Sequence, residues 1–180
     1  MWNLLDKSAG ITLSATELKA TASTQGWKTV RASSSRSSGK YYFEVRIDAT
    51  DAGRNHMVGI CQSGTQLFNH LAFSFGRGYL GSDGNFWNGI STGAPAVTYT
   101  AGDVVCVAFD AGAGKVWFAK NNTWLASGDP ANDANPAFSG LSGAWFPAVS
   151  PYEINTAGTA RFRSTHFTYT PPSGFAAWGS

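Results

Sequence analysis

The sequence predicts an all-β fold, an antiparallel sandwich of two sheets, from three observations. Short segments of β-branched and aromatic residues recur along the chain, separated by turns rich in Gly, Asn, Asp and Pro. No stretch of ten or more residues carries its apolar residues at helical spacing. Only 13% of the 180 residues are charged, whereas 14% are aromatic and 21 are Gly, a composition that favours strands and turns over helices.

The first half of the chain contains three strand signals. Residues 14–23, SATELKATAS, alternate in a Thr-rich pattern that favours a strand. The segment KYYFEVRID (40–48) alternates cleanly and predicts a half-buried strand with one apolar face. The residues predicted to face the core are Tyr41, Phe43, Val45 and Ile47. HMVGIC (56–61) is short, apolar and bounded by polar turns, which predicts a further strand.

The second half supplies the central strand and a hairpin. DVVCVAFD (103–110) is apolar on both faces and is expected to be covered on both sides. Asp110 ends this strand, where its carboxylate is expected to accept backbone N–H groups of the next turn. GKVWFAKNNTWLAS predicts a hairpin that turns at Asn121 and Asn122, because Asn accepts the positive φ of tight turns.

The remaining C-terminal segments complete the predicted sandwich. Residues 127–143 form the longest irregular stretch and are expected to be a surface loop. WFPAVSP (145–151) and ARFRSTHFTYTPPSGF (160–175) are expected to supply the last strands. With no linker and no internal repeat, the length predicts one domain over residues 1–180.

Charge and hydropathy exclude two classes of partner. The formal net charge is +2 and no dense run of Lys and Arg occurs, so nucleic-acid binding, which neutralises several phosphates at once, is not predicted. No apolar stretch approaches the ~20 residues of a membrane span, and membrane insertion is not predicted. The start, MWNLLDKSAG, lacks the pattern of a secretory signal peptide.

A Gly-x-Gly-x-x-Gly motif lies at Gly76, Gly78 and Gly81. A phosphate-binding loop needs a helix immediately after such glycines. Here SDGNFWNG follows, a turn-forming and aromatic stretch. The motif therefore predicts glycines that let the chain turn between strands.

A Gly-x-Ser-x-Gly motif at residues 89–93 makes Ser91 a candidate hydrolase nucleophile. A nucleophile elbow needs a strand before the Ser and a helix after it, but APAVTYTAGD predicts loop and strand. A serine hydrolase that uses Ser91 is kept as an alternative to a non-catalytic protein.

No metal site or cofactor is predicted. The three histidines are widely separated in the sequence, and no pair has the spacing of metal ligands. Asp83, Asn85 and the cluster at 129–135 offer oxygen atoms suited to calcium, but Asp and Asn are also ordinary turn residues, and calcium dependence stays open. Cys61 and Cys106 lie in apolar strands and are predicted to be buried free thiols.

Six segments match, in order and spacing, the pattern of a SPRY domain (the B30.2-like fold), and the chain resembles that family over nearly its whole length. They are GKYYFEV (39–45), VGI (58–60), GYLGSDGNFWNG (78–89), GDVVCVAFDAGAGKVWFAKNNTWL (102–125), WFPAVSP (145–151) and FTYTPPSGF (167–175). The resemblance implies a bent, concanavalin-like sandwich that binds its partner with loops at one edge. The loop GDPANDANPAF resembles bacterial and bacteriophage forms of the domain.

The chain departs from the family pattern at three places. His56 stands where the family often has Trp, and Asn122 where Gly usually closes the hairpin. RFR (161–163) replaces Asn-Phe-Gly and brings two arginines near one sheet edge, where they could be functional.

The resemblance also implies a ligand-binding surface built from three loops, with Arg31 and Trp87 as its anchors. Aromatic residues and Arg dominate binding hot spots because they bury large areas and make several directed bonds. The alternative is that Trp87 packs on the sandwich edge and that Arg31 is solvated. The full set of predicted binding residues is Arg31, Ser33, Arg36, Tyr79, Asp83, Asn85, Trp87, Tyr152 and Asn155.

The sequence therefore predicts a non-catalytic module that binds a protein or a cell-surface receptor. The resemblance to phage forms suggests a virion or tail-fibre setting, with a host-surface receptor as partner. The alternative is a lectin-like module that binds glycans through Trp87 and neighbouring Asp and Asn side chains. The oligomeric state stays open.

Overall fold

The computed structural model describes residues 1–179, in which the regular elements are fourteen strands and two short 3-10 helices. The helices are Leu125–Ser127 and Ser164–His166. The strands are β1 (Trp2–Lys7), β2 (Ile11–Leu13), β3 (Lys19–Ala22), β4 (Val30–Ala32), β5 (Lys40–Ala49), β6 (His56–Cys61), β7 (Gly76–Leu80), β8 (Phe86–Trp87), β9 (Val104–Asp110), β10 (Lys115–Lys120), β11 (Thr123–Trp124), β12 (Phe146–Pro151), β13 (Ala157–Arg161) and β14 (Ala176–Ala177). The all-β class is confirmed.

The strands form two sheets. The first has six strands in the order β1-β4-β12-β6-β7-β8, all paired antiparallel. The second has eight strands, with the order β11-β10-β9-β5-β13-β3-β2, and β14 adds to β5 in parallel. Strands from both ends of the described chain therefore take part in the sheets. No helix among residues 1–179 has the length and apolar character to cross a membrane.

The main core lies between the facing sheets. Val58 and Tyr79 come from the six-stranded sheet, and Phe43 and Phe118 come from the eight-stranded sheet. Trp178, near the C-terminus, stacks on Phe109 with ring centroids 6.0 Å apart. Rigid aromatic rings fill this core and bury a large apolar area.

The central strand, the hairpin and the turn after β9 are confirmed. Every residue of β9 is buried, as expected for a strand covered on both faces. Asn121 and Asn122 turn the β10–β11 hairpin with φ values of 48° and 66°. Asp110 accepts the N–H of Ala113 at 2.9 Å and pairs with Lys40 at 3.3 Å, so its predicted structural role is confirmed.

Strand β5 is not half-buried as predicted, because its second face is also covered. Tyr42 and Glu44 are fully buried on that face. Phe167 packs edge-on against Tyr42 at 4.9 Å, and Glu44 accepts the backbone N–H groups of Thr168 and Tyr169 at 2.8 and 2.9 Å. The alternation of polar residues wrongly predicted that this face is exposed to water. Glu44 can be buried there because protein N–H groups, rather than water, satisfy its carboxylate.

Two predicted strand segments are shorter than expected. Of residues 14–23, only Lys19–Ala22 form a strand. The segment 162–175 contains a 3-10 helix but no strand, and it covers the outer face of the eight-stranded sheet. Pro171 and Pro172 lack the N–H groups that a ladder requires.

The three glycines of the Gly-x-Gly-x-x-Gly motif lie in β7 and the turn after it, and the next element is the short strand β8 rather than a helix. A Cβ on Gly76 would come within 1.9 Å of the Leu71 carbonyl oxygen, and one on Gly78 within 2.4 Å of the Met57 sulfur. The glycines thus let residues 62–75 lie directly against the sheet.

The two cysteines are buried and free, as predicted. Cys61 faces the outer side of the six-stranded sheet, and Cys106 packs with Tyr42 and Trp117. Burial raises the pKa of the Cys61 thiol to about 12 and that of Cys106 to about 11. Both thiols are therefore protonated at neutral pH.

Candidate functional site

Five partly exposed rings follow one another across the outer face of the six-stranded sheet, and we call them the aromatic row. The ring centroids of Tyr152 and Trp27 are 5.1 Å apart, and those of Trp27 and His70 are 5.4 Å apart. His70 then contacts Trp87 at 5.7 Å and Phe73 at 5.9 Å. All four contacts are edge-to-face, the geometry that aromatic rings prefer.

The middle of the row lies on the segment 62–75, which is fixed to the sheet by buried hydrogen bonds. The N–H of Leu71 donates to Ser150 Oγ at 2.8 Å, and Ser150 Oγ is 2.7 Å from Thr29 Oγ1. Leu71 packs with Met57 and Leu80 in a small cluster that also supports Trp27 and Trp87. His70 and Phe73 are therefore held on either side of a buried anchor.

Trp87 is held by the loop that precedes β8. Its Nε1–H donates to Asp83 Oδ2 at 3.0 Å, while Asp83 Oδ1 accepts the N–H of Asn85 at 2.9 Å. Asn85 Oδ1 in turn accepts the N–H of Ala96 at 3.1 Å. Asp83 and Asn85 thus orient the indole ring, and the structure brings these three predicted residues together.

The other end of the row is held by a buried lysine. The Lys28 ammonium donates to the carbonyl oxygens of Thr24, Gly26 and Tyr152. This joins the loop that carries Trp27 to the residue after β12. Burial lowers the pKa of Lys28.

His70 is neutral at pH 7, because burial lowers its pKa from the ordinary value near 6.5. Its Nδ1 is buried without a hydrogen-bond partner among residues 1–179. The centre of the row is thus an uncharged ring, which suits an apolar contact surface.

Large apolar side chains are exposed in the row and in the chain segments that carry it. Phe68 is 74% exposed, Phe73 49%, Phe75 55% and Ile90 74%. Three of these lie in the segment 62–75, and the fourth lies three residues after Trp87. Single exposed apolar residues are ordinary, but several in one region mark an interaction surface.

Arg31 lies away from this surface and is structural. It is in β4 rather than in a loop, and its side chain is only 7% exposed. Its Nε and Nη2 donate to the Asp6 carboxylate at 2.7 and 2.6 Å. Its Nη1 donates to the carbonyl oxygens of Gln62 and Thr65. Arg31 is thus neither solvated nor free to contact a ligand.

The other predicted residues are dispersed. Tyr79 is fully buried in the core, 4.8 Å from Tyr99. Ser33 Oγ contacts the Met1 carbonyl oxygen, and Arg36 lies over the Tyr41 ring while it donates to the Trp178 carbonyl oxygen. Asn155 is exposed in a turn with φ 68°. Of the whole predicted set, Tyr152, Asp83, Asn85 and Trp87 form or support the row.

Sequence reasoning missed Trp27, His70 and Phe73 as members of a surface. The available signal was the run LFNHLAFSF (67–75), which is rich in aromatic residues yet has neither strand nor helix periodicity. If this segment were a buried strand, its apolar side chains would pack in the core. This segment instead leaves three phenylalanines in solvent.

The alternative sites lack the geometry that their chemistry requires. Residues 92–103, directly after Ser91, contain no helix, and Ser91 Oγ accepts the N–H of Gly93 and lies 3.5 Å from Asp83. Asp129 binds the side-chain amide of Asn132 at 2.7 Å. Residues 1–179 contain no group of three or more His, Cys, Asp or Glu placed to hold a metal ion.

Comparison with known proteins relates this fold to one family. The SPRY domain family model matches residues 40–163. The structure is similar to the SPRY domain of human HERC1, with a TM-score of 0.75 and 19% identity over 89% of this chain and 96% of that one. It is similar to another human SPRY domain (0.65, 16%, covering 84% and 94%) and to the TRIM65 PSpry domain (0.68, 14%, covering 89% and 90%). No curated protein sequence matches the chain.

Proposed function

Because the chain belongs to the SPRY domain family, whose members are generally non-catalytic interaction modules, we propose that it binds a protein partner through the aromatic row. The single observation that carries the proposal is the row itself. Five rings in edge-to-face contact lie partly exposed on one sheet face, beside exposed phenylalanines.

The row has the physical properties of a binding hot spot. Trp and Tyr rings bury large areas on association and have few rotatable bonds, so little side-chain entropy is lost. Trp87 is already oriented by Asp83, and Trp27 is already packed on the sheet. A partner would meet a surface that needs little reorganisation.

The geometry favours an extended or helical segment of the partner that lies along the row. Trp27 and Trp87 stand on opposite sides of His70, so two apolar side chains of the partner could each meet one indole ring. Phe73, half exposed, also contacts His70 and adds a third apolar ring to the same surface.

The experiment selects peptides from a random displayed library against the wild-type protein and measures the dissociation constants of the selected peptides for variants. Trp27→Ala and Trp87→Ala are each expected to weaken binding by about 2 kcal/mol or more, roughly thirtyfold, because truncated hot-spot rings cost this much. Trp124→Ala is the matched control, since Trp124 is a partly exposed ring at the edge of the other sheet.

Circular dichroism melting of each variant separates loss of binding from loss of folding. The proposal is supported if the two row variants stay folded and lose affinity while Trp124→Ala keeps it. It fails if the selected peptides bind the row variants as tightly as the wild type.

A virion or cell-surface setting with a host-surface receptor is the finer form of this proposal. It predicts that the protein binds intact cells of a suitable host and that Trp87→Ala reduces this binding.

A glycan array, run with and without a chelator, tests the lectin-like alternative. Trp87-dependent binding of glycans, but of no peptide, would make the ligand a carbohydrate.

A further inference from the structure

Arg77 lies in β7, and its guanidinium lies over two aromatic rings. The guanidinium carbon is 5.6 Å from the centroid of the Phe138 ring and 5.7 Å from that of Trp145. Both distances lie within the range of cation–π attraction, which favours keeping the charge near the two rings.

The hydrogen-bonding capacity of Arg77 is largely unused. Within residues 1–179, its one hydrogen bond is from Nη1 to the Gly76 carbonyl oxygen at 2.7 Å, and it forms no ion pair. A guanidinium has five N–H donors and always carries its charge. Arg31 and Arg161, which are also partly or largely buried, each pair with a carboxylate.

A pocket of about 370 Å³ opens beside this guanidinium. Its polar walls come from Gln62, Ser74, Asn88 and Ser142, and its apolar walls from Phe75, Leu141 and Trp145. None of the lining residues within 1–179 is acidic. The Gln62 amide is held by the Ser142 carbonyl oxygen at 2.8 Å. The site thus combines a positive charge near two aromatic rings, neutral polar groups and room for a small ligand group.

We propose that this pocket binds the carboxylate of an Asp or Glu side chain carried by the protein partner. A planar guanidinium presents paired N–H groups at the spacing of two carboxylate oxygens. A half-buried positive charge without a countercharge gains most from such a ligand, because surrounding protein weakens its screening by water.

The pocket adjoins the aromatic row along the chain. Asn88 follows Trp87 directly, and Phe75 lies two residues after Phe73. The inference rests on the proposed function in one respect only, which is that the carboxylate belongs to a protein partner.

The experiment follows the Arg77 Nε–Hε resonance of the wild-type protein by NMR during titration with small capped amino acids. The probes are N-acetyl-glutamate N-methylamide and its aspartate analogue, which carry side-chain carboxylates. N-acetyl-glutamine N-methylamide is the neutral isostere, and N-acetyl-glycine carries a main-chain carboxylate. Saturable shifts are expected with the first two probes, and none with the neutral isostere.

Variants show whether binding depends on the guanidinium group. Because the Arg77 Nε–Hε signal is lost when Arg77 is replaced, the affinities of all variants are measured from the backbone amide resonances of Asn88 and Ser142, which line the pocket. Arg77→Lys keeps the charge but loses the fork, and is expected to weaken binding of the glutamate probe by about tenfold. Arg77→Gln is expected to abolish it. Arg46→Gln is the matched control, because Arg46 is half exposed and bound to Asp48; its affinity should equal that of the wild type.

Shifts with N-acetyl-glycine alone would show that the pocket binds the carboxylate of a chain terminus, and would overturn the proposal that it binds an Asp or Glu side chain. Equal shifts with the glutamine analogue, or no shift with any probe, would overturn the proposal. Because these probes do not touch the aromatic row, the result is independent of whether peptides selected on the wild type depend on Trp27 and Trp87.

Discussion

At the scale of single residues, Arg31 shows how one side chain can hold several segments together. It joins β1, through Asp6, to the carbonyl oxygens at Gln62 and Thr65. These carbonyl groups begin the segment that carries the middle of the aromatic row. The side chain therefore supports the candidate surface from below without being part of it.

Arg31→Ala is expected to lower the free energy of unfolding by about 3 kcal/mol, because it leaves Asp6 and two carbonyl groups without their partner. Urea unfolding at pH 7 measures the change. Arg46→Ala is the control, since Arg46 is half exposed and an exposed pair is worth at most about 1 kcal/mol. Equal effects of the two substitutions would show that the Arg31 pair contributes no more than a surface pair.

His56 is a second residue with a measurable consequence. It is fully buried, neither ring nitrogen has a hydrogen-bond partner among residues 1–179, and burial lowers its pKa from 6.5 to about 4. Nearby Asp48 opposes this effect to a smaller extent. Between pH 6.5 and pH 4 the unfolded chain binds a proton at His56 that the folded protein does not.

Stability is therefore expected to fall as the pH decreases through this window, and His56 accounts for roughly 3 kcal/mol of the fall. Unfolding curves between pH 7.5 and pH 4 measure this. In His56→Phe the contribution should vanish, whereas the control His166→Gln, at an exposed residue, should keep it. An unchanged pH profile in His56→Phe would contradict the account.

At the scale of elements, the C-terminal segment 162–175 acts as a cover over the eight-stranded sheet. Phe167, Tyr169 and Phe175 pack against the outer face formed by Tyr42 and Trp117. Glu44 holds the segment by accepting its backbone N–H groups at Thr168 and Tyr169, and it also pairs with Arg161, the last residue of β13, at 3.3 Å. The segment is thus attached to the sheet by a buried carboxylate and not by strand-to-strand hydrogen bonds.

Glu44→Gln is expected to loosen this cover, because an amide has one acceptor oxygen where the carboxylate used two. Amide hydrogen exchange at Thr168 and Tyr169 should accelerate by about tenfold or more, as a loss of about 1.4 kcal/mol predicts. Exchange in β9 should change less. Glu153→Gln, at a partly exposed residue bound to Gln25, is the control, and an equal effect there would contradict the account.

The elements themselves were largely predictable. Period-two alternation identified β5, unbroken apolarity identified β9, and the Asn pair located the β10–β11 hairpin. The covered second face of β5 was not predictable, because its polar residues have the same pattern as a solvated face. The partner that satisfies Glu44 lies more than 120 residues away.

At the scale of the whole molecule, the candidate surface depends on contacts that no local pattern encodes. The aromatic row takes its rings from four separate parts of the chain, near residues 27, 70, 87 and 152. They meet because β7 and β12 flank β6 in the sheet and because Gly76 and Gly78 leave room for the segment above them. Sequence reasoning found Trp87 and Tyr152 but not the residues between them.

The most direct test of the account uses the indole N–H resonances of the seven tryptophans as reporters of where a selected peptide binds. In a two-dimensional ¹H–¹⁵N spectrum of the wild-type protein, saturating peptide is expected to shift the Trp27 and Trp87 signals most. Trp124, on the other sheet, should be unaffected, and so should the buried Trp117. Shifts confined to Trp124 and its hairpin, with Trp27 and Trp87 unchanged, would contradict the aromatic row as the binding surface.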